Sequence, residues 1–208
     1  MATLTLANIC LDVQIGICMC LHPSDILALR KVCAHRELSL LKSVKYHITK
    51  TCKALQPSTR HRVVWLAALH RVCIDNAIFL PSFPISDMSD SEVEKAATGP
   101  LKWIELCGAF EKQHLNDPGV ILRPRATRII NDSFATEVVH FTTDFYIVPG
   151  GRFLVRCSPE GISVLDLGYT SSADCKLIAS VRLKGSYNSC LVQATPDGMG
   201  LIIFSSYA

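Results

Sequence analysis

The hydrophobic period of this chain changes once, and that change limits what it can fold into. Up to Asn116-Asp117-Pro118-Gly119 the apolar residues recur at helical spacing; beyond it they sit in short β-branched runs divided by turn residues. A period of 3.6 places a stripe on a helix and a period of 2 places a face on a strand, and neither pattern serves the other element. Helices and strands that occupy separate stretches predict an α+β chain with an antiparallel sheet. At 208 residues there is enough chain to bury a core in one large domain or two small ones.

In the helical half, Val13, Ile17 and Leu21 repeat at i, i+4 and i+8, one face of a short helix. Pro23, in His22-Pro23-Ser24-Asp25, cannot continue that helix and presets the first turn of another. Helical patterns follow over residues 37–46 and 60–75, the second with Val64, Ala67, Ala68, Arg71 and Val72 on its buried side. Residues 78–85, with Pro81 and Pro84, read as an extended connection. Ser89 with Glu92, and Ser91 with Glu94, each fit a capping box. Thr98-Gly99-Pro100 is expected to end that helix and open another, with Trp103, Leu106, Cys107 and Phe110 as its apolar stripe.

In the other half, strands are expected over residues 126–130, 137–141, 145–148, 153–157, 162–167, 177–183, 190–194 and 200–204, with turns at Pro149-Gly150-Gly151 and Pro159-Glu160-Gly161. Residues 148–155 and 194–203 resemble each other, each a Gly-containing turn leading into an apolar strand, one blade-length apart. That period suggests repeated four-stranded sheets, one to two blades of a propeller at ~40–45 residues each. Propellers close only with more blades, so the sheet is expected to be incomplete, with residues 201–204 on an edge. The chain then reads as a fragment of a longer relative or as one that pairs its last strand with itself or a partner.

Composition removes several function classes. With 19% charged residues, 49% hydrophobic residues and a mean hydropathy of +0.29, the chain is too apolar to be disordered. A net charge of +3 without a Lys/Arg stripe gives no argument for a nucleic-acid or membrane partner. Asp12 and Gln14 interrupt the longest apolar stretch, against a signal peptide or a span. The 10 cysteines lie in apolar periodic segments and read as reduced thiols in a cytoplasmic or nuclear protein. Cys18-x-Cys20-x-His22 with Cys33-x-His35 offers soft ligands, but one residue between cysteines turns the thiols about 200° apart on a helix, so no metal is expected.

No phosphate loop, dinucleotide fingerprint, zinc-protease helix or nucleophile elbow occurs. A Cys107–His114 pair would lack an orienting group. Arg123, Arg125 and Arg128 read as solvated charges at a strand entrance, the alternative being an anion or peptide contact, and Asp144 and Asp166 as turn or blade residues. The expectation is a protein that is not an enzyme and needs no cofactor.

The run Ile9-Cys10-Leu11-Asp12-Val13, then Ile17-Cys18-Met19-Cys20-Leu21-His22-Pro23-Ser24-Asp25-Ile26-Leu27-Ala28-Leu29-Arg30-Lys31-Val32-Cys33, resembles an F-box. The x-Pro-x-Asp-Ile-Leu centre and the Val-Cys ending match that family's pattern; Ile9-Cys10 stands where Leu-Pro is usual. The resemblance implies docking onto a Skp-type linker protein and through it a cullin, with Ile9, Val13, Ile17, Leu21, Pro23 and Ile26 as contact residues. Residues 65–85 and the blade-like tail are similar to fungal F-box proteins that carry a β-propeller. The implied organisation is an F-box-like helical module at 1–56, a helical linker at 57–117 and a partial propeller-like sheet at 118–208. The implied function is a substrate-recruiting adaptor of a cullin-type (SCF) ubiquitin ligase; the alternative is a structural repeat protein without ligase contact. Residues 32–50 read as an insertion or an unspliced in-frame intron, because their removal joins Leu29-Arg30-Lys31 to Thr51-Cys52-Lys53 as one helix.

Overall fold

The computed structural model describes residues 9–34, 55–114, 144–159, 161–170, 173–182 and 187–207. It is α+β, helices first and antiparallel strands after. The expected helix at 37–46, the strands at 126–130 and 137–141, the Arg123–Arg128 cluster and most of 32–50 lie outside the described residues. The chain divides into two compact units, one of Met1–Val72 with Ile85–Pro118 and one of Cys73–Pro84 with Gly119–Ala208. Cys73–Pro84, expected with the helical linker, thus belongs to the sheet unit.

The helical unit contains α1 (Leu11–Met19), α2 (Pro23–Ala34), α3 (helical residues 55–60), most of α4 (Arg62–Asp75) and α5 (Asp90–His114). On α4 the residues Val64, Trp65, Ala68, Leu69 and Val72 are buried at i, i+1, i+4, i+5 and i+8, a wide apolar face, and Ile26 on α2 and Val93 and Ala97 on α5 are buried too. Arginines then satisfy carbonyls that helix ends and connections leave open. Arg71 donates to the carbonyls of Cys20 (2.9 Å) and Met19 (3.1 Å), a cation capping the C-terminus of α1. Arg62 donates to the carbonyls of Met88 (2.8 Å) and Ile85 (2.7 Å) and pairs with Asp90 at 2.9 Å. Arg30 pairs with Glu94 at 2.7 Å, donates to the Thr59 carbonyl and lies 4.9 Å from the centroid of the Trp65 ring.

α5 differs from its expected course. Thr98-Gly99-Pro100 does not end it; Pro100 lies inside one continuous helix. Proline deletes a single N–H from the ladder, and here the Thr98 hydroxyl donates back to the Glu94 carbonyl at 2.9 Å while helical backbone continues on both sides. Of the two capping boxes only Ser89–Glu92 forms: Glu92 accepts from the Ser89 N–H and hydroxyl, both at 2.7 Å. Glu94 is taken by Arg30 instead. The side-chain and backbone hydrogen bonds from Ser89 hold the Glu92 carboxyl below its ordinary value. Of the expected apolar stripe, Trp103, Leu106 and Cys107 are exposed.

In the sheet unit, β1 (Asp144–Ile147), β2 (Phe153–Ser158), β3 (Gly161–Asp166) and β4 (Lys176–Arg182) form an antiparallel meander in that order. β5 (Tyr187–Ala194) and β6 (Leu201–Tyr207) form a separate hairpin, so β6 has β5 as its one described neighbour. The core joins Val148, Phe153, Val155, Cys157 and Ile162 of the first sheet to Val192 of the hairpin.

The two similar sequence stretches have one backbone frame. Val148 N–H donates to the Phe153 carbonyl and Thr195 N–H to the Gly200 carbonyl, each at 2.9 Å. Gly151 N–H returns to the Val148 carbonyl and Gly198 N–H to the Thr195 carbonyl, and both glycines are left-handed, with φ 76° and 70°. β5 and β6 therefore repeat β1 and β2. Consecutive donors tie the copies together: Phe79 N–H reaches the Pro149 carbonyl (3.1 Å) and Leu80 N–H the Gly198 carbonyl (2.9 Å). This segment was expected to be a plain extended connection, but Leu80–Ser82 is a 3-10 turn. At its start Ala77 is left-handed, with φ 50°, and Ile78 N–H closes on the Cys73 carbonyl at 2.8 Å, the C-terminal cap of α4. Ala77→Gly removes the Cβ penalty of that conformation and is expected to raise stability by about 0.5–1 kcal/mol in urea unfolding.

Arg152 fastens the segment to the sheet. It bonds Asp166 through Nε (2.9 Å) and Nη2 (2.6 Å) and donates to the Pro81 carbonyl at 3.3 Å. The Arg152 guanidinium, helped by the Gly168 N–H, holds the Asp166 carboxyl below its ordinary value. A depressed carboxylate contributes stability above the unfolded-state pKa, about 3.9 for Asp, and loses it as pH falls through the folded value. Asp166→Asn is expected to lower sheet-unit stability at neutral pH and to flatten the loss below pH ~4, checked by hydrogen exchange of β2 and β3 amides across that range.

Candidate protein-docking surface

α1 is oriented opposite to a helix in a self-contained bundle. Its first ladder bond runs from Gln14 N–H to the Cys10 carbonyl at 3.2 Å. The Gln14 side chain, 4% exposed, turns back to donate to the Ile9 carbonyl at 2.9 Å. Cys18, one turn on, is buried as well. Cys10, Val13, Gly16, Ile17 and Cys20 then share the outward face by helical spacing, and all are exposed, Val13 by 49% and Ile17 by 42%. A polar side chain faces inward and an apolar stripe faces water, whereas a helix that buries its own apolar face does the reverse.

Two of the expected contact residues lie elsewhere. Pro23 and Ile26 are fully buried. Pro23 opens α2, with His22 Nδ1 placed 3.4 Å from the Ser24 N–H, and Ile26 packs inward with 0% exposure. Both side chains are thus turned into the folded chain and away from solvent. Val13 and Ile17 form the centre of the outward face, and Ile9 and Leu21 are half-buried. Cys10, Gly16 and Cys20 were not among the expected contact residues, although a helical wheel through Val13 places them on the same stripe.

The thiols separate as their spacing requires, Cys18 buried and Cys20 exposed. Burial raises the Cys18 thiol and pushes the Cys73 thiol up to about 11, which keeps both protonated and poorly nucleophilic at neutral pH. Among the described residues no group of three His, Cys, Asp or Glu could hold a metal ion. Cys107 is exposed on α5, while the His114 side chain lies outside the described residues. No described helix is long and apolar enough to cross a membrane. No protein-family model, no curated protein and no solved structure matches this chain.

Proposed function

We propose that the chain is a substrate-recruiting adaptor of a cullin-type ubiquitin ligase, the outward face of α1 docking on a Skp-type linker protein and the sheet unit presenting a protein substrate. The observation that carries this reading is the inverted α1: Val13 and Ile17 are exposed while Gln14 is buried, within the residues that resemble an F-box. An apolar helical stripe left open to water fits an interface that a second protein completes. In this role the chain itself makes and breaks no bonds and contributes proximity. The reading without ligase contact, a structural interaction protein built on the sheet repeat, leaves this face without a use.

The test is binding of a purified Skp-type linker to the full chain and to Val13→Asp/Ile17→Asp. Both positions face solvent, so helix content and melting should change little, whereas two carboxylates placed in an apolar interface should weaken binding at least ~100-fold. Undiminished binding by the folded double variant removes the docking assignment. A wild-type chain that fails to bind any Skp-type linker removes the adaptor reading.

A further inference from the structure

The repeat within the sheet unit holds residue by residue. Val148 of the first turn answers to Thr195 of the second, and the strand partners keep that offset. Ile147 pairs with Leu154 where Ala194 pairs with Leu201, and Phe145 with Arg156 where Val192 pairs with Ile203. The core between the two sheets does not follow the same offset. On β2 it takes Val155 and Cys157; on β6 their equivalents Ile202 and Phe204 are exposed, and Leu201 and Ile203 pack inward instead. One side of the first repeat is thus joined to the opposite side of the second.

Packing of this kind is head to tail, and it leaves two unlike apolar sides over. On the hairpin the side of Leu191, Ile202 and Phe204 is exposed, Phe204 by 56%, and it corresponds to the core-facing side of β1 and β2. On the first repeat Phe145 and Ile147 are exposed, Ile147 by 63%, and their equivalents are the buried Val192 and Ala194. Each open side therefore corresponds to a side that the same chain already buries against the other kind. Arg156 stands where the hairpin has Ile203, and its aliphatic stem can serve such a contact with the guanidinium left at the rim. Open apolar patches of this sort mark contact surfaces, and here the fold itself displays the surface that fits each of them.

We propose that copies of this chain associate head to tail, the Phe145–Ile147 side of one seated on the Ile202–Phe204 side of the next, as the hairpin is seated on the first sheet within each chain. A second chain presents the required side in the required backbone frame, whereas two Phe204 sides meeting each other would not repeat the packing within the chain. The contact is heterologous and continues until it closes. Each chain supplies two repeats and rings of roughly four to eight close, so about two to four chains complete one. The association belongs to the sheet unit and uses none of the α1 face.

The test is sedimentation equilibrium of the full chain at micromolar concentration, where a mass of about two to four chains is expected. Ile202→Thr/Phe204→Thr and Phe145→Thr/Ile147→Thr each remove one side. Threonine keeps strand propensity and all four residues are exposed, so both variants should stay folded. Each alone should be a monomer, its association weakened at least ~100-fold. Mixed in equal amounts they should form a one-to-one pair, because each retains the side that the other lacks; that recovery also shows both to be folded. Trp103→Ala removes exposed apolar surface from the helical unit and should associate as wild type does. The proposal is overturned by a monomeric wild type, by a threonine variant that associates like wild type, by a mixture that stays monomeric, or by Trp103→Ala weakening association as much. Both threonine variants should bind a Skp-type linker as wild type does, so failure here and failure of the adaptor reading are distinguishable.

Discussion

Trp65→Ala is expected to lower the stability of the helical unit by about 4 kcal/mol, a large share of what a domain of this kind possesses. The ring is 1% exposed, its Nε1–H donates to the Thr59 carbonyl at 2.9 Å, and the Arg30 guanidinium lies over its face. Truncation opens a cavity between helices, removes that hydrogen bond and leaves Arg30 without its aromatic partner. Trp65→Phe keeps most of the volume and loses the Nε1–H, so its cost should be nearer ~1–2 kcal/mol. Trp103, 58% exposed, is the matched control, and Trp103→Ala should lie within about ±0.5 kcal/mol. Urea unfolding followed by helix circular dichroism measures all three. A Trp65→Ala cost below ~1 kcal/mol would mean that α4 is not the centre of this unit.

Gly161→Ala should cost the sheet unit about 3 kcal/mol or more, through two separable causes. Its φ of 148° belongs to a region that side-chain-bearing residues enter only with strain, and the new Cβ would meet the β4 backbone at the Val181 oxygen. Gly151→Ala separates them: φ is 76°, but nothing lies within 4 Å of a Cβ there, so only the left-handed penalty of about 1–2 kcal/mol applies. The two tryptophans of the chain, Trp65 and Trp103, belong to the helical unit, so their emission is blind to this change. Hydrogen exchange of β2–β4 amides reports it instead. Equal protection in Gly161→Ala and wild type would show that the β3–β4 pairing does not require glycine.

Sequence pattern located the described strands well, for reasons that are local. β-branched runs at period 2 mark the strands, and Gly151 and Gly198 supply the left-handed residues that each turn needs. The repeat between those turns was visible because both copies spend residues on the same backbone frame. Elsewhere a partner distant in sequence decides the outcome. Cys73–Pro84 joins the sheet because Pro149, Gly198 and Arg152 take its backbone groups, and nothing between Ile78 and Pro84 announces those partners. Glu94 leaves its capping box because Arg30 lies within reach. On the outward face of α1 the periodicity of Val13 and Ile17 was legible, but not its direction. Amphipathic spacing says which residues share a side and not whether that side meets core or solvent. The buried Gln14 and Ile26 settle that point in the folded chain.

The stitch from Phe79 and Leu80 to the two turns has a consequence for synthesis. These donors leave the ribosome well before Gly198, their more distant acceptor. The helices on either side can form while Phe79 and Leu80 still wait, because helical contacts are local and close early, whereas a tie across so many residues carries a large loop-closure cost. The exposed interval between α4 and α5 therefore remains unclaimed until the second hairpin emerges, and a nascent chain halted before Gly198 would display an unsatisfied Leu80 N–H beside the open Phe79 ring. Stalled chains of graded length, probed by limited proteolysis between Ile78 and Pro84, should switch from cleaved to protected only after β6 has cleared the exit tunnel.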